Sequence, residues 1–377
     1  MKKRIAVLGA TGSIGKSSLD IISRNRDSFD VVLLSAHSNR SELDALKTQW
    51  PSAVCVLTGE SGGREKLLLA IKNSNADIVI NGIAGGAGLE PSLAAVEAGA
   101  NLALANKETV VMAGRLAFRL AEEKNVKIIP VDSEHSGVFN LLNAHNNAEV
   151  SEIILTASGG PFRKFSLKEM ESVTVKDALA HPTWNMGKKI TVDSASMANK
   201  GLEIIEACHF FNIHPDKIKV AVHPQSIVHS MIRLCNGAVY AQLSKPDMRH
   251  PIHDALYWPG TAPLNLEPLN FDCLTLEFEK PDTEKFPMLK LAREAAGRGG
   301  LYPCAYNGAN EEAVNAFLKE KIGFLDIAAI TAGVLEKDWA LDCGDLQAVL
   351  KADADSRQLA LSHIEKIPAR RRGGAEA

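Results

Sequence analysis

Length, composition and charge describe an ordinary globular protein that acts on a small partner. The chain has 377 residues, 46% hydrophobic and 23% charged, which suffices for two or three domains with substantial cores. Its 42 Lys and Arg balance 45 Asp and Glu, so no nucleic-acid partner is expected. No apolar run reaches the roughly 18–20 residues of a membrane span, and the N-terminus resembles no signal peptide. We therefore expect no membrane partner and a cytoplasmic location.

The first residues predict a strand, a glycine-rich turn and a helix. Residues 5–8 are apolar and precede the pattern GxxGxxG, a relative of the dinucleotide fingerprint. In that fingerprint, glycines let the backbone approach a pyrophosphate at a helix N-terminus. A purely structural turn is the alternative. The candidate cofactor-binding residues here are Gly9, Thr11, Gly12, Ser13, Ile14 and Gly15.

The end of the second predicted strand indicates which nucleotide is bound. Enzymes that use NAD usually end this strand with an acid for the ribose hydroxyls. Here residues 31–36 lead into His37 and then Ser38, Asn39 and Arg40, which can hold a 2′-phosphate. The sequence therefore favours NADPH.

Strand and helix patterns continue to alternate up to about residue 150, which predicts a doubly wound sheet. Asn106, Lys107 and Glu108 follow one strand, at the edge where open α/β sheets bind ligands. Asp132 and Glu134 follow another. Both acids are predicted to continue that strand, where positions i and i+2 share a face and aim at one point. Two like charges so close favour a cation, although a salt-bridged acid pair is the alternative.

A second unit is predicted from about Ser151. Its first strand ends in Ser158, Gly159 and Gly160, which predicts either a phosphate-binding turn or a plain tight turn. Residues 181–189 lack periodicity but contain a tryptophan and a methionine. This pattern indicates a mobile lid, or alternatively a buried surface loop.

The helix that follows contains a lysine close to its apolar stripe. Lys200 lies at the first turn, beside Asn199 and shortly after Ser194, a combination suited to an oxyanion or phosphate. Glu203 supplies a third carboxylate one turn from Asn199.

These motifs, in this order, resemble the 1-deoxy-D-xylulose 5-phosphate reductoisomerase family. The matching stretches are GATGSIG, NKE, VDSEHS, SGGPF, HPTWNMG, VDSASMANKGLE, HPQSIVHSM and KPDMRHPI. The resemblance implies an NADP-dependent oxidoreductase that isomerises and reduces 1-deoxy-D-xylulose 5-phosphate to 2-C-methyl-D-erythritol 4-phosphate. That reaction belongs to the non-mevalonate isoprenoid pathway. It uses NADPH and Mg²⁺ or Mn²⁺, and the family forms homodimers.

The resemblance also implies an α/β fold with a domain order. A Rossmann-like, doubly wound NADPH-binding domain is expected over residues 1–150. A central α/β catalytic and dimerisation domain with a mobile loop at 181–191 is expected over 151–257. A linker over 258–283 and a C-terminal helical domain over 284–377 complete the expected order.

The resemblance also implies a role for each residue that occupies a matching position of the family motifs. The implied metal ligands are Asp132, Glu134 and Glu203, hard oxygen donors that suit Mg²⁺ or Mn²⁺. The implied catalytic residues are Lys107, Glu134 and His181. The implied substrate-binding residues are Lys107, Ser133, Glu134, Ser158, His181, Trp184, Ser194, Asn199, Lys200 and Glu203. The further implied cofactor-binding residues are Asn106, Glu108, Gly187, Pro246 and Met248.

Two other functional classes are compatible with the first domain alone. A different NADPH-dependent dehydrogenase, of a phosphorylated or acyl substrate, would share the glycine-rich turn but should offer a catalytic cysteine. A non-catalytic nucleotide-sensing protein would have no use for three convergent carboxylates.

Overall fold

The computed structural model describes residues 1–145, 149–184, 186–342 and 344–368. The chain forms two compact units. The first comprises Met1–Thr109, Arg115–Phe139 and Asp247–Glu267, and the second comprises Val110–Gly114, Asn140–Pro246 and Pro268–Ala377. Residues 247–267, expected in the central domain and linker, therefore belong to the first unit. The helices expected as a separate C-terminal domain share the second unit with the central region, and residues 369–377 lie outside the described part.

The elements follow the alternation that the sequence predicts. The strands are β1 (Lys3–Leu8), β2 (Phe29–Ala36), β3 (Val54–Leu57), β4 (Ile78–Asn81), β5 (Asn101–Leu104), β6 (Ile128–Pro130), β7 (Val150–Ala157), β8 (Ile218–Val222), β9 (Val228–Leu234) and β10 (Val239–Leu243). The helices are α1 (Ser13–Arg24), α2 (Arg40–Gln49), α3 (Gly63–Asn73), α4 (Leu89–Glu97), α5 (Lys107–Glu123), α6 (Ser133–Ala144), α7 (Leu167–Met170), α8 (Val175–Leu179), α9 (Lys188–Ala195), α10 (Ala198–Phe210), α11 (Arg249–Tyr257), α12 (Pro287–Arg298), α13 (Tyr302–Leu318), α14 (Asp326–Leu335) and α15 (Leu346–Glu365). Among the described residues, no helix is both long and apolar enough to cross a membrane.

The first unit is built on a six-stranded parallel sheet in the order β3-β2-β1-β4-β5-β6. This is the strand order of a Rossmann fold, so the predicted doubly wound sheet is confirmed. Its core contains Ile5, Val7 and Ile80, and α1 packs Leu19 and Ile22 against it. The carboxyl ends of β1 and β4, on either side of the point where the strand order reverses, lie where such sheets bind nucleotides.

The second unit combines a four-stranded sheet with helices. The sheet order is β10-β9-β7-β8, with β7 and β8 parallel and the other pairs antiparallel. Helix α13 is buried along most of its length. Helix α10 approaches α12 and α13 closely at Gly201, where an added Cβ would lie 2.7 Å from both the Ala292 Cβ and the Tyr306 hydroxyl.

The predicted loop at 181–191 is shorter in the structure. Helix α9 begins at Lys188, so residues 188–191 are helical. The apolar residues Ile190 and Val192 sit in this helix, and Val192 is fully buried, which gives the segment a packed face. Asn185, in the remaining loop, lies outside the described residues.

Candidate functional site

The turn between β1 and α1 requires its glycines for space. Gly9 has a φ of +75°, and an added Cβ would lie 2.8 Å from the Gly82 carbonyl oxygen. At Gly15 an added Cβ would lie 2.4 Å from the Gly9 carbonyl oxygen, so α1 packs directly on the turn. Gly12 caps α1 with an extended backbone and offers no side chain to its first N–H groups. Such a bare helix start suits an anionic group. The other predicted binders, Thr11, Ser13 and Ile14, lie in the same turn, and Ser13 is exposed.

Beyond β2, the three predicted 2′-phosphate residues are exposed, and two of them already contact acids. Asn39 caps α2 by accepting from the Glu42 amide at 3.2 Å, and its Nδ2 donates to Glu42 Oε2 at 2.7 Å. Arg40 forms an ion pair with Glu60. Ser38 lies beside them at the same sheet edge. Sequence reasoning named neither acid: Glu42 could have been inferred from its capping position three residues after Asn39, whereas Glu60 meets Arg40 only in the folded chain.

Asn106 is buried and ties two segments together. It caps α5 by accepting from the Thr109 amide at 3.0 Å. Its Nδ2 donates to the carbonyls of Ile83 and Gly85 at 2.7 and 2.9 Å, and lies 2.9 Å from the Glu108 carboxylate. The predicted cofactor residues Asn106 and Glu108 therefore hold the loop after β4 in place.

The predicted strand geometry of Asp132 and Glu134 is wrong. Strand β6 ends at Pro130 and α6 begins at Ser133, so Glu134 lies in the first turn of a helix. Asp132 Oδ1 accepts from the His135 backbone amide at 3.1 Å, as a capping aspartate does. A carboxylate that satisfies a free helical N–H ends the strand there, which the i, i+2 argument did not consider.

The carboxylates of Asp132 and Glu134, at the start of α6, have close polar neighbours. Asp132 is paired with Lys107, whose side chain is only 6% exposed. The His135 Nδ1 lies 3.1 Å from the other oxygen of Asp132. Ser133 donates a hydrogen bond to Glu134. Four predicted site residues, Lys107, Asp132, Ser133 and Glu134, are thus adjacent in the first unit.

In the second unit, a single histidine joins two predicted phosphate-binding serines. His181 Nε2 lies 3.0 Å from Ser158 Oγ and 3.1 Å from Ser194 Oγ. The turn after β7 makes this possible: an added Cβ on Gly160 would lie 2.8 Å from the Ser194 carbonyl oxygen. The φ of +65° at Gly160 also favours glycine. The predicted phosphate turn therefore packs against α9.

Hydrogen bonding and burial together define the protonation state of His181. Its Nδ1 accepts from the backbone amides of Thr183 and Trp184 at 3.1 and 2.9 Å. Burial lowers the pKa of His181 below its ordinary value. The neutral ring with its proton on Nε2 satisfies all four contacts, so His181 donates toward the serine hydroxyls.

Helix α10 carries three of the predicted site residues on one face, the buried Lys200 and Glu203 and the half-buried Asn199. Asn199 Nδ2 donates to Glu203 Oε1 at 2.7 Å, and Lys200 forms an ion pair with the other oxygen of Glu203. Glu203 is fully buried and Lys200 is 3% exposed. In the predicted apolar stripe, Ile204 and Ala207 are buried, as expected.

The remaining predicted residues are more dispersed. The half-buried Trp184 has its ring 6.4 Å from that of His229, and the exposed Gly187 caps α9. Pro246 lies in the second unit. Met248 lies in the first, where it packs against the core.

Comparison with known proteins decides the family. Three family models match: 1-deoxy-D-xylulose 5-phosphate reductoisomerase over residues 5–62 and 58–114, its C-terminal domain over 128–211, and the DXP reductoisomerase C-terminal domain over 243–359. The reductoisomerase of Treponema denticola is 49% identical over 371 residues, covering 96% of this chain and 97% of the relative. That of Chlorobium chlorochromatii is 46% identical and covers 96% and 100%.

The chain belongs to the 1-deoxy-D-xylulose 5-phosphate reductoisomerase family.

Solved reductoisomerase structures share the whole fold. One, described as a complex with NADPH, fosmidomycin and magnesium, has a TM-score of 0.90 and 37% identity, covering 96% of this chain and 98% of its own. The Zymomonas mobilis reductoisomerase, described as a complex with NADPH, has a TM-score of 0.87 and 40% identity, covering 97% and 100%. The α/β architecture predicted from the sequence is therefore confirmed.

Proposed function

We propose that this reductoisomerase converts 1-deoxy-D-xylulose 5-phosphate to 2-C-methyl-D-erythritol 4-phosphate with NADPH and Mg²⁺ or Mn²⁺, in the non-mevalonate isoprenoid pathway. The observation that carries the proposal is the pairing of predicted metal ligands with predicted substrate-binding lysines. Lys107 pairs with Asp132 in the first unit, and Lys200 pairs with Glu203 in the second. Charged groups shielded from solvent beside a specific partner cluster at functional sites.

Asp132, Glu134 and Glu203 are proposed to hold one divalent cation. All three offer carboxylate oxygens, the donors that Mg²⁺ and Mn²⁺ prefer, so the residues fit the metal. When bound, the ion polarises the substrate carbonyl and stabilises negative charge on its oxygens. Lys107 and Ser133, beside two of these acids, orient the substrate hydroxyls.

The substrate phosphate is proposed to bind to the second unit, at Ser158, Ser194, Asn199 and Lys200. His181 donates from Nε2 toward the serine hydroxyls, which leaves each hydroxyl proton free to point at a phosphate oxygen. Lys200 supplies the positive charge. Trp184, shortly before α9, covers the bound ligand and excludes water, and Gly187, at the start of α9, contacts the cofactor.

The NADPH pyrophosphate is proposed to bind at the start of α1, over the Gly9 to Gly15 turn. Ser38, Asn39 and Arg40 hold the 2′-phosphate, and Asn106 and Glu108 shape the neighbouring loop. Pro246 and Met248 pack against the nicotinamide. Held there, the cofactor would supply the hydride that reduces the branched aldehyde left after the carbon skeleton has rearranged.

Two of the described cysteines, Cys208 and Cys304, are poorly suited to the nucleophile that a cysteine-dependent dehydrogenase needs. Burial raises the pKa of the Cys208 thiol to about 12, which disfavours a thiolate. Cys304 is buried and its sulfur donates to the Val349 carbonyl at 3.5 Å.

We also propose a cytoplasmic homodimer formed through the central region. In the second unit, β10 is an edge strand, and Val239 and Tyr240 on it are each 43% exposed. An exposed apolar edge strand is a common site of association.

The test follows NADPH oxidation optically after 1-deoxy-D-xylulose 5-phosphate is added, with and without Mg²⁺ or Mn²⁺. We expect oxidation only when substrate and metal are both present. Absence of metal-dependent oxidation would overturn the proposed activity.

Amide variants test the ligand set. Asp132→Asn, Glu134→Gln and Glu203→Gln each remove one charge with little change in volume. Turnover and the thermal stabilisation by Mn²⁺ should therefore fall together, by at least about tenfold in turnover. Glu206→Gln, three residues along α10 and also buried, is the matched control and should keep metal-dependent turnover. A variant of the three that keeps full activity is not a ligand.

A further inference from the structure

The fold contains a buried carboxylate that the proposed reaction does not use. Asp193 lies on α9, is 1% exposed, and is the residue before Ser194. Its Oδ1 accepts from Asn310 Nδ2 at 2.8 Å, and its Oδ2 lies 3.0 Å from Lys189 Nζ. Asn310 is itself fully buried on α13. A charge-assisted bond at this depth constrains both helices strongly.

The same face of α13 also touches α10. Tyr306 lies one turn before Asn310, and residues i and i+4 share a helical face. The Tyr306 hydroxyl lies only 2.7 Å from the position of an added Cβ on Gly201, the residue after Lys200. That hydroxyl donates to the Met288 carbonyl at 3.2 Å. Burial, followed by the negative charge of Asp193, raises the pKa of Tyr306 well above its ordinary value.

Each contact therefore lies next to a proposed phosphate ligand. Asn310 holds Asp193, whose neighbour Ser194 meets His181, and Tyr306 packs on Gly201, whose neighbour is Lys200. The turn that carries Ser158 packs on the backbone of Ser194, so a shift of α9 changes the spacing of the serines. One face of α13 thus contacts both α9, through Asn310, and α10, through Tyr306.

We propose that Asp193 and Asn310 are positioning residues, and that α13 sets the geometry of the phosphate site through them. The inference rests on the proposed function, because it assumes that Ser194 and Lys200 bind the substrate phosphate. Neither residue has to contact substrate. Asp193 and Asn310 act on the affinity for phosphate. When the hydrogen bond between them is lost, the groups that bind phosphate are displaced.

The experiment uses a reciprocal exchange in the full-length enzyme. Asp193→Asn leaves two amides facing each other, and Asn310→Asp leaves two carboxyl groups. The double variant D193N/N310D restores an amide–carboxylate pair at the same place. KM for the phosphorylated substrate and the inhibition constant of inorganic phosphate are measured beside kcat, NADPH affinity and melting temperature.

Each single variant should raise both KM and the phosphate inhibition constant about tenfold, the scale of one charge-assisted hydrogen bond. The NADPH affinity should change far less, because the residues proposed to hold its pyrophosphate and 2′-phosphate, Gly9 to Gly15 and Ser38 to Arg40, lie in the first unit. The exchange should return both constants to within about threefold of wild type. Glu312→Gln is the matched control: it removes an acid from α13 that pairs with Arg357 at 3.0 Å, and it should leave both constants unchanged.

Two outcomes overturn the proposal: single variants with wild-type phosphate affinity, or an exchange that restores stability without restoring phosphate affinity. If Asp193→Asn does not fold, the double variant D193N/N310D tests the proposal by itself. The proposal then requires this double variant to fold and to bind phosphate as the wild type does. Lys200→Ala separates this inference from the proposed function. If Lys200→Ala leaves phosphate affinity unchanged, the phosphate site itself is wrong. If only Lys200→Ala weakens phosphate binding, the positioning role is wrong.

Discussion

Several buried acids in this reductoisomerase have a lysine partner within their own unit. Lys107 pairs with Asp132, Lys200 with Glu203 and Lys189 with Asp193. A buried carboxylate without such a partner would take up a proton, because burial disfavours the charged form. Lys107 and Lys200 therefore favour the charged forms of Asp132 and Glu203, the forms that bind a metal.

Histidine 209 offers a residue-scale prediction about acid stability. Its ring packs against Gly114, where an added Cβ would lie 2.5 Å from the ring, and burial lowers the pKa of His209 to about 4. Between its ordinary pKa of about 6.5 and this value, the unfolded chain binds a proton that the folded chain does not. The free energy of unfolding should therefore decrease as the pH is lowered through this range. His209 contributes at most about 3 kcal/mol to that decrease.

His209→Gln should remove that part of the pH dependence. Urea unfolding of both proteins at pH 7.5 and pH 5 gives the comparison, and the wild type should lose more stability than the variant. Equal losses in the two proteins would show that His209 titrates normally in the folded state.

At the scale of elements, the β1–α1 turn needs glycines because its close packing leaves no room for side chains. Gly15→Ala would place a methyl group 2.5 Å from the Ala10 Cα. It should therefore destabilise the protein by about 1–3 kcal/mol and weaken NADPH binding. Gly297→Ala is the matched control, since nothing lies within 4 Å of its added Cβ and it also lies in a helix, α12. It should stabilise the protein by about 0.5 kcal/mol.

Urea unfolding and fluorescence titration with NADPH measure both effects. If Gly15→Ala is as stable as Gly297→Ala, the close packing of α1 on the turn is not what requires glycine there.

Local signals explain which elements could be predicted. The strand, turn and helix over residues 3–24 follow from apolar periodicity and glycine spacing, and the structure confirms them. The start of α6 could not be inferred from carboxylate spacing, because Asp132 caps the helix instead of continuing the strand. The bond between Asp193 and Asn310 joins residues 117 positions apart. No local pattern reports such a partner, so the support of α9 by α13 appears only in the folded chain.

At the scale of the whole molecule, the proposed dimer makes β10 an interface. Strand β10 has β9 on one side in the sheet order, and no strand of the described residues lies on its other side, which makes it an edge. Two identical edges related by a two-fold axis can pair with each other, which would cover Val239 and Tyr240. Placing a lysine at each position adds two charges per subunit and so four across the axis, where like charges repel.

The double variant Val239→Lys, Tyr240→Lys should therefore be monomeric at micromolar concentration, whereas the wild type should sediment with twice the mass of one chain. Phe271→Lys is the matched control, because Phe271 is 68% exposed and is not part of β10, so this variant should remain dimeric. Sedimentation velocity over a concentration series distinguishes the species. A monomeric wild type would contradict the homodimer itself, while a dimeric double variant would place the interface elsewhere on the second unit. Circular dichroism of the double variant must match the wild type, because an edge strand that unfolds would also dissociate the dimer.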